Sequence, residues 1–293
     1  MEPFKPLPQC VECLKALGKS SAVLADSKNP RLQEQVEALV GQVLGEAEEN
    51  GSTSPQIARR ILREIKRLSG VADPYAQFKH REMAHAQEIL AGLPPVGLDL
   101  RSRVNLAVLG NSLDFFENPG KALSGIPDLL QKGLPYFIDD VDRLETFLTK
   151  GPGLVLYISD NAGEIYFDLP LYEFIKGRSE RAVLVVKGGP SLNDLTRSEL
   201  QVAELENRLD EVADLGTDGP GVDWDLVSKE FLELVREADL IISKGMANFE
   251  SFFPRRLSAP VFFLFKIKCQ PIQDYLRAPA GSFCALCHEG GEI

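Results

Sequence analysis

The sequence predicts an α/β fold in which a helical N-terminal domain packs on a three-layer α/β/α domain with a mostly parallel, doubly wound sheet. In the first half of the chain, apolar residues recur at intervals of three and four, the period of amphipathic helices. Beyond it, short apolar runs alternate with helical stretches, the pattern of strand–helix–strand units. These runs are apolar throughout, as in strands covered on both faces. We therefore assign residues 1–150 to the helical domain and residues 151–293 to the α/β/α domain.

The helical domain is predicted as a bundle of amphipathic helices. Residues 30–50 carry one apolar stripe opposite a charged face. The next helix is expected to begin at Ser54, an N-cap before Pro55 at the first helical position, and to end at Gly70. Further helices are expected over residues 79–93 and 124–150, the second of these interrupted at Pro127 and Pro135.

Five strands are predicted in the second half of the chain, each from one apolar run. They are expected at residues 154–159, 182–187, 211–215, 240–243 and 261–265. The helices between them are expected at residues 164–176, 197–207 and 225–237. One earlier run, residues 104–109, fits either a strand or a buried helix, because length and periodicity do not separate the two. We favour a helix there.

The chain is acidic, with 43 Asp and Glu against 32 Lys and Arg among 293 residues and a formal net charge of -11. Such a charge repels a nucleic-acid backbone unless basic residues are segregated on one face. The basic residues near position 60 fall at helical spacing and are most simply interpreted as a solvent-exposed helix face: Arg59, Arg60, Arg63, Lys66 and Arg67. We therefore expect no nucleic-acid partner. An acidic protein that handles anionic substrates needs a local counter-charge, usually a metal ion.

The composition is that of an ordinary globular protein, with 44% hydrophobic and 26% charged residues. No apolar run approaches the roughly 18 residues that a membrane-spanning helix needs. The first eight residues carry charges and prolines and are not followed by the apolar segment of an export signal. We therefore expect a cytoplasmic protein with no membrane partner. The sequence leaves the oligomeric state open.

Polar residues follow three of the predicted strands at the point where each strand ends. In order along the chain they are Asp160, Asn161 and Glu164; Gly188, Gly189, Asn193 and Asp194; and Lys244, Gly245, Asn248 and Glu250. Ligands of open parallel sheets bind at the carboxyl ends of the strands. Carboxylate and amide oxygens suit magnesium or manganese, lysine supplies positive charge for a phosphate, and glycine lets backbone amides approach it. Each position alone also fits an ordinary turn or helix cap, but their coincidence at three strand ends predicts a metal-assisted phosphoryl site.

The same segments resemble the signatures of the damage-control phosphatase family, formerly known as domain of unknown function number 89. The matching segments are residues 158–164, 186–194 and 243–250, together with 10–13, 73–79, 110–114 and 268–272. The resemblance extends over essentially the whole chain. It implies a helical N-terminal domain on an α/β/α domain and a divalent-metal-dependent phosphatase acting on small phosphorylated metabolites. The N-terminal Cys-x-x-Cys pair resembles that of the shorter, largely microbial branch of the family.

The resemblance also implies roles for individual residues. Asp160, Asn161 and Asp194 would coordinate the metal, which is left open among manganese, nickel, cobalt and magnesium. Lys244 and Asn248 would lie near the phosphate, Glu164 would support the pocket, and the backbone of Gly245 would contribute a donor.

As a mechanism we expect the metal to polarise a phosphoryl oxygen while Lys244 offsets the charge that develops as the ester bond breaks. A metal-bound water and Asp160 itself are both chemically reasonable nucleophiles. None of the five predicted strands is followed directly by the Asp-x-Asp loop of phosphatases that form an aspartyl intermediate, which favours the water. Two other readings stay open, a carboxyl methyltransferase that uses S-adenosylmethionine and a protein that binds phosphorylated metabolites without turnover. The chain has no Walker A loop, Gly-x-Gly-x-x-Gly or Gly-x-Ser-x-Gly motif for other chemistries.

Asn111 and Asp114 are three residues apart and share a face if they lie on a helix. Two interpretations carry equal weight: the pair closes the substrate pocket from the helical side, or it forms a buried hydrogen-bonded pair that joins the two domains.

The five cysteines form a second candidate site. Cys10 with Cys13 and Cys284 with Cys287 make two Cys-x-x-Cys pairs at opposite ends of the chain, and Cys269 stands alone. Two such pairs are able to hold a structural zinc ion that ties the termini together. The alternative is free cytosolic thiols.

Overall fold

The computed structural model describes residues 4–93, 99–112 and 126–289. Before the sheet begins, the chain forms α1 (Pro8–Ala25), α2 (Pro30–Asn50), α3 (Ser54–Ser69), α4 (Ala76–Ala91), α5 (Leu100–Ser112) and α6 (Ile126–Lys132). The sheet consists of β1 (Tyr136–Asp139), β2 (Leu154–Ile158), β3 (Arg181–Val186), β4 (Glu211–Asp214), β5 (Leu240–Lys244), β6 (Val261–Lys266) and β7 (Phe283–His288). Between the strands lie α7 (Val141–Thr149), α8 (Ile165–Lys176), α9 (Arg197–Val202), α10 (Lys229–Glu237), α11 (Met246–Phe252) and α12 (Gln270–Leu276).

The seven strands form one sheet in the order β1-β7-β6-β5-β2-β3-β4. Strands β2 to β6 are all parallel, β7 pairs antiparallel with β6, and β1 pairs parallel with β7. The predicted mostly parallel α/β fold is therefore confirmed, and each of the five predicted strands lies where it was expected. The helix favoured for residues 104–109 is also confirmed, since these residues lie in α5.

Two strands at one side of the sheet were not predicted. Residues 124–150 were expected to be helical, but β1 lies between α6 and α7 in this segment. Strand β1 has only four residues, with partly and fully exposed side chains in alternation, so it lacks the apolar run that marks a central strand. Strand β7 contains both Cys284 and Cys287, which were interpreted as zinc ligands instead.

Three apolar clusters build the core. One cluster lies on the face of the sheet that α4, α5, α7 and α8 cover, and it runs from Met83 to Cys287. A second lies on the opposite face under α10, α11 and α12. The third is the core of the bundle of α1, α2 and α3. Since α5 and β1 come before residue 150 and are part of the layered structure around the sheet, the division into domains at residue 150 stays a prediction.

Helix α3 is docked against the loop that follows β4, through the basic residues that were expected to face solvent. The Lys66 ammonium lies 2.7 Å from Asp218 and donates to the carbonyl oxygen of Pro190 at 2.9 Å. The Arg59 guanidinium lies 3.4 Å from Asp223. The N-cap residue of α3 is Thr53 and not Ser54 as predicted, so Ser54 is already the first residue of the helix. The basic face of α3 is thus partly an interface.

Among the described residues, no helix has the length and apolar character that spanning a bilayer requires.

Candidate active site

The predicted site residues lie at the carboxyl ends of β2, β3 and β5, which are neighbours in the sheet. From β2 the chain moves outward through β3 to β4 and then returns to β5 on the other side of β2. The order of the strands therefore reverses between β2 and β5, the place where open α/β sheets bind their ligands. Helices α4 and α5 approach this edge from the N-terminal half of the chain, because both pack against the segment that follows β2.

The loops after β2 and β3 are bound to one another through their backbones. Leu195 donates its N–H to the carbonyl oxygen of Asp160 at 2.8 Å, and Ala162 donates to that of Asn193 at 2.8 Å. Between these two hydrogen bonds, Asn161 and Asp194 form an isolated β-bridge. Two residues that are 33 positions apart in the sequence are thus held opposite each other by the main chain. The three residues expected to bind metal therefore lie together at the carboxyl ends of β2 and β3. We call this edge, formed by Asp160, Asn161 and Asp194, the rim.

Asn111 on α5 connects the N-terminal half to this rim. Its amide nitrogen donates to Asp160 Oδ2 and to Glu164 Oε1, both at 2.9 Å, and its carbonyl oxygen accepts the N–H of Lys266 at 3.1 Å. Asn161 also donates to Glu164 Oε1, at 2.7 Å. Glu164, with 1% of its surface exposed, therefore orients the two side chains that flank Asp160. Asp114, the proposed partner of Asn111, lies outside the described residues.

Gly245 provides space for the carboxylate of Asp160. A Cβ at this position would stand 1.9 Å from Asp160 Oδ2, and the residue has a φ of +81°, a conformation that disfavours other residues. Its N–H donates to the carbonyl oxygen of Leu264 at 3.2 Å. The backbone of Gly245 was expected to donate to a phosphate, but this N–H is already bonded within the sheet.

Lys244 lies beneath the rim, fully buried, and not on its surface. Its ammonium donates to Asp168 at 2.5 Å, to Glu164 at 2.9 Å and to the carbonyl oxygen of Ala107 at 3.0 Å. An ammonium has three N–H donors, and all three are used. Burial by itself lowers the pKa of Lys244, but the charges of Asp168 and Glu164 outweigh it, so its pKa lies above the ordinary value and the group stays charged. In this geometry Lys244 holds Glu164 and has no donor left for a phosphate.

Asn248 also has a supporting position. Its amide nitrogen donates to the carbonyl oxygens of Ser159 and Lys244, at 2.9 and 2.8 Å, and so ties the end of β2 to the end of β5. Lys187 donates to the carbonyl oxygen of Gly221 at 2.6 Å, and more weakly to Asn248 Oδ1 at 3.4 Å. Both residues are buried. Neither side chain lies on the rim as a free phosphate donor.

Glu82 on α4 is a residue of the site that the sequence analysis missed. It is almost fully buried, and both of its carboxylate oxygens accept from the amide nitrogen of Asn193 at 3.2 Å. A Cβ at Gly163 would stand 2.6 Å from Glu82 Cγ, so the helix packs closely on the segment after β2. Burial, and then the charges of Glu164, Asp160 and Asp194, raise the pKa of Glu82 well above its ordinary value. No local motif marked Glu82, because its role comes from the packing of α4 on the rim.

The rim carries more negative charge than its own residues neutralise. Burial, and then the charges of Glu164 and Asp194, raise the pKa of Asp160 well above its ordinary value. Burial raises the pKa of Asp194 to about 6, although Lys187 lies 3.7 Å from its Oδ2 and opposes the shift. That Oδ2 is buried and accepts no hydrogen bond from any described residue. Carboxylates in mutual repulsion, one of them buried with an unused oxygen, fit a bound cation. Within the described part of the chain, however, no three His, Cys, Asp or Glu side chains already surround one metal position.

Lys268 is an exposed lysine close to Asp160. It follows β6, its side chain is exposed, and its charge lowers the pKa of Asp160. In the sequence this lysine is marked only by the segment 268–272, which resembles the family.

The two Cys-x-x-Cys pairs do not meet. Cys284 and Cys287 lie three residues apart on β7, so their side chains point to opposite faces of the sheet, and each belongs to a different core cluster. They cannot bind one zinc ion together, and the predicted four-cysteine site is therefore corrected. Cys10 and Cys13 lie on α1. All five cysteines are described and are free thiols.

Comparison with known proteins agrees with this architecture. Residues 7–282 match the family model described as the damage-control phosphatase ARMT1-like domain. A damage-control phosphatase from Archaeoglobus fulgidus is 30% identical over 96% of this chain and 99% of its own length. One from Pyrococcus horikoshii is 34% identical over 82% of this chain and 83% of its own length. The crystal structure of a DUF89 family protein from Pyrococcus horikoshii superposes with a TM-score of 0.85 at 29% identity and covers 97% of this chain and 99% of that one.

Proposed function

The chain belongs to the ARMT1-like damage-control phosphatase family, and from this membership and the geometry of the rim we propose that it is a divalent-metal-dependent hydrolase of small phosphomonoesters. The substrates we propose are sugar or nucleotide monophosphates, with metabolite damage control as the physiological role. The cytoplasmic location and the lack of a nucleic-acid partner stay predictions from the sequence.

The observation that carries the proposal is the cluster of carboxylates around the ends of β2 and β3, in which Asp194, Glu164 and Glu82 are buried and Asp160 is partly exposed. Backbone hydrogen bonds hold together the loops that carry Asp160 and Asp194, and Glu164 and Glu82 lie close enough for their charges to act on this pair. No described residue donates a hydrogen bond to Asp194 Oδ2. Leaving buried carboxylates uncompensated is costly, so a fold that does so at a ligand-binding edge implies a cation there.

We assign the metal to Asp160, Asn161 and Asp194, whose oxygens suit manganese, nickel, cobalt or magnesium. When bound, the metal would act as a Lewis acid on a phosphoryl oxygen. Asn111 and Glu164 keep Asp160 and Asn161 in position through the hydrogen bonds described above. These two residues therefore orient the metal ligands, as outer-shell partners do in other metal sites.

For the phosphate we propose Lys268 as the binding cation in place of Lys244. A phosphate needs a positive charge with free donors, and the three donors of Lys244 are bonded to protein acceptors. Lys268 is exposed and lies within electrostatic range of Asp160. Lys244 then acts on the reaction through Glu164, as a positioning residue.

We favour a water molecule over Asp160 as the nucleophile. Asp160 Oδ2 accepts the hydrogen bond of Asn111, and the backbone of Gly245 fills the space beside the carboxylate. A carboxylate that is enclosed in this way is suited to holding a cation and has little room for an incoming phosphoryl group.

The test is an aryl phosphate assay on the purified chain after chelation, followed by addition of manganese, nickel, cobalt or magnesium singly. We expect hydrolysis to disappear on chelation and to return with at least one of these ions, and Asp160→Asn to stay inactive while it keeps its fold. Hydrolysis that is unaffected by chelation contradicts the proposal. Consumption of S-adenosylmethionine without added metal would favour the methyltransferase instead, and phosphate ester binding without turnover would favour a binding protein.

A further inference from the structure

The start of the chain packs on the two helices that follow β5 and β6. The ring of Phe4 lies 4.6 Å from that of Tyr275 and 5.8 Å from that of Phe249, centroid to centroid. Phe249 belongs to α11, and Tyr275 to α12. Helix α1 begins only four residues after Phe4, and it also contacts α12. The first turns of α1 therefore lie over α11 and α12.

Three cysteines and one glutamate come together at this junction. Cys10 and Cys13 are three residues apart in the first turns of α1 and so share a helix face. Cys269 is the N-cap residue of α12, and Glu250 lies on α11. Burial, and then the charges of Glu250, Cys10 and Cys13, raise the pKa of Cys269 to about 11, so these three groups lie within electrostatic range of Cys269. Burial, and then the charges of Cys10 and Glu250, likewise raise the pKa of Cys13.

The glutamate of this cluster lacks a compensating charge. Burial alone raises the pKa of Glu250 to about 7, and no described residue donates a hydrogen bond or forms an ion pair with its carboxylate. Cys10 and Cys269 are half-buried and Cys13 is exposed, so solvent and small ions reach the cluster from outside. Glu250 is partly buried, and a partly buried carboxylate beside three thiols is stabilised by a cation.

We propose that Cys10, Cys13, Cys269 and Glu250 bind one zinc-like divalent metal ion that ties α1 to α11 and α12. Three thiolates and one carboxylate form a tetrahedral ligand set of the kind that zinc accepts. The thiols lose their protons to solvent as the metal binds, so binding weakens as the pH falls. The site is separate from the rim at Asp160, whose ligands are all oxygens.

The four side chains do not yet surround one position, since no such group of donors is formed by the described residues. A single torsion places the sulfur of each cysteine, and a change between its staggered states moves the sulfur by about 3 Å without moving the backbone. The exposure of Cys13 and the partial exposure of Cys10 leave room for this rotation. The backbone thus brings the residues together, and rotation of the side chains completes the site.

Cobalt reports on this site independently of the phosphatase reaction. The reduced, metal-free protein, with all five thiols counted chemically, is titrated with Co²⁺ without oxygen. We expect one equivalent to produce sulfur-to-cobalt charge-transfer absorption, and Zn²⁺ to abolish it by displacement. Cobalt bound to the oxygen ligands at Asp160 produces no such band, so this result and the phosphatase assay succeed or fail separately.

The variants are chosen so that folding does not confuse the result. Cys269→Ala and Cys13→Ala should lose the absorption, and Glu250→Gln should keep it with affinity about tenfold weaker, near 1.4 kcal/mol. Cys287→Ala is the matched control on β7 and should keep it. Zn²⁺ should also raise the unfolding midpoint of the unsubstituted protein by more than it raises that of Cys13→Ala, which keeps the ligands at Asp160 and whose exposed side chain is replaced without loss of packing. Absence of the band in the unsubstituted protein, or its survival in Cys269→Ala, overturns the proposal.

Discussion

The carboxylate of Asp160 lies against the backbone of Gly245, so closely that a Cβ there would stand 1.9 Å from Asp160 Oδ2. A residue at the end of β5 thus shapes the position of a residue at the end of β2.

Gly245→Ala should displace Asp160 and weaken metal-dependent hydrolysis by about tenfold or more. Both the clash and the positive φ of +81° act against the substitution, and a non-glycine residue in such a conformation costs about 1–3 kcal/mol. Gly281→Ala is the matched control, because Gly281 has a φ of +76° and a Cβ there meets only Lys266 Cε, at 3.8 Å. The measurements are hydrolysis rate and metal affinity. Equal losses in the two variants would show that backbone strain, and not the contact with Asp160, is responsible.

Asp194→Asn should weaken metal binding by more than about 100-fold, beyond the loss that outer-shell partners cause. The same substitution removes one of the mutually repelling carboxylates, so the metal-free variant should be at least as stable as the metal-free unsubstituted protein. Calorimetric metal titration and thermal unfolding measure the two effects. A variant that is destabilised without metal and still binds it normally would remove Asp194 from the proposed metal site.

Lys244→Met should destabilise the fold by about 3–5 kcal/mol, because it leaves Glu164 and Asp168 buried without their counter-charge. Denaturant unfolding measures this loss. If Lys244 instead bound the phosphate as the family resemblance implies, the variant would keep its stability and show a raised KM. Unfolding stability and KM, measured on the same variant, therefore decide which role Lys244 has.

Lys268→Ala should raise the KM for a phosphomonoester by about tenfold and leave the unfolding midpoint unchanged. One hydrogen bond to a charged group contributes about 1.5 kcal/mol, which corresponds to that factor. The control is Lys229→Ala, an exposed lysine at the start of α10 on another part of the surface. An unchanged KM in Lys268→Ala would mean that another group binds the phosphate.

Addition of Mn²⁺ should stabilise the metal-free protein more at pH 8 than at pH 5. At 100 times its Kd, a ligand specific to the folded state contributes about 2.7 kcal/mol. The pKa of Asp194 is raised to about 6, so at pH 5 this carboxyl is mostly protonated and cannot bind the ion, whereas at pH 8 it is ionised.

In the metal-free protein, the ionisation of Asp194 has the opposite effect on stability. Because its folded-state pKa lies above the ordinary value of 3.8, Asp194 lowers stability as the pH rises between these two values. Thermal unfolding at both pH values, with and without metal, measures the effect. Equal stabilisation by Mn²⁺ at pH 5 and pH 8 would contradict the proposed role of the carboxylates.

Local pattern in the sequence was sufficient for the central strands and for the residues that follow them. The apolar run at residues 154–158 is short and is followed by turn-forming residues, which favours a buried strand, and Asp160 and Asn161 then lie at its carboxyl end. The same pattern did not reveal β1, since an edge strand of four residues has too little apolar surface to differ from a loop or a short helix.

The sequence alone therefore determined the α/β class, the order of the five central strands along the chain, and the loops that carry the candidate metal ligands, because these depend on continuous apolar runs and on a period of 3.6 residues within short segments. Only the tertiary structure decided what each charged side chain meets. Lys244 and Lys268 are both lysines near the ends of strands, yet one is enclosed by Glu164 and Asp168 and the other is exposed. Whether a charge is neutralised depends on contacts between distant segments, and such contacts leave no periodic trace in the sequence.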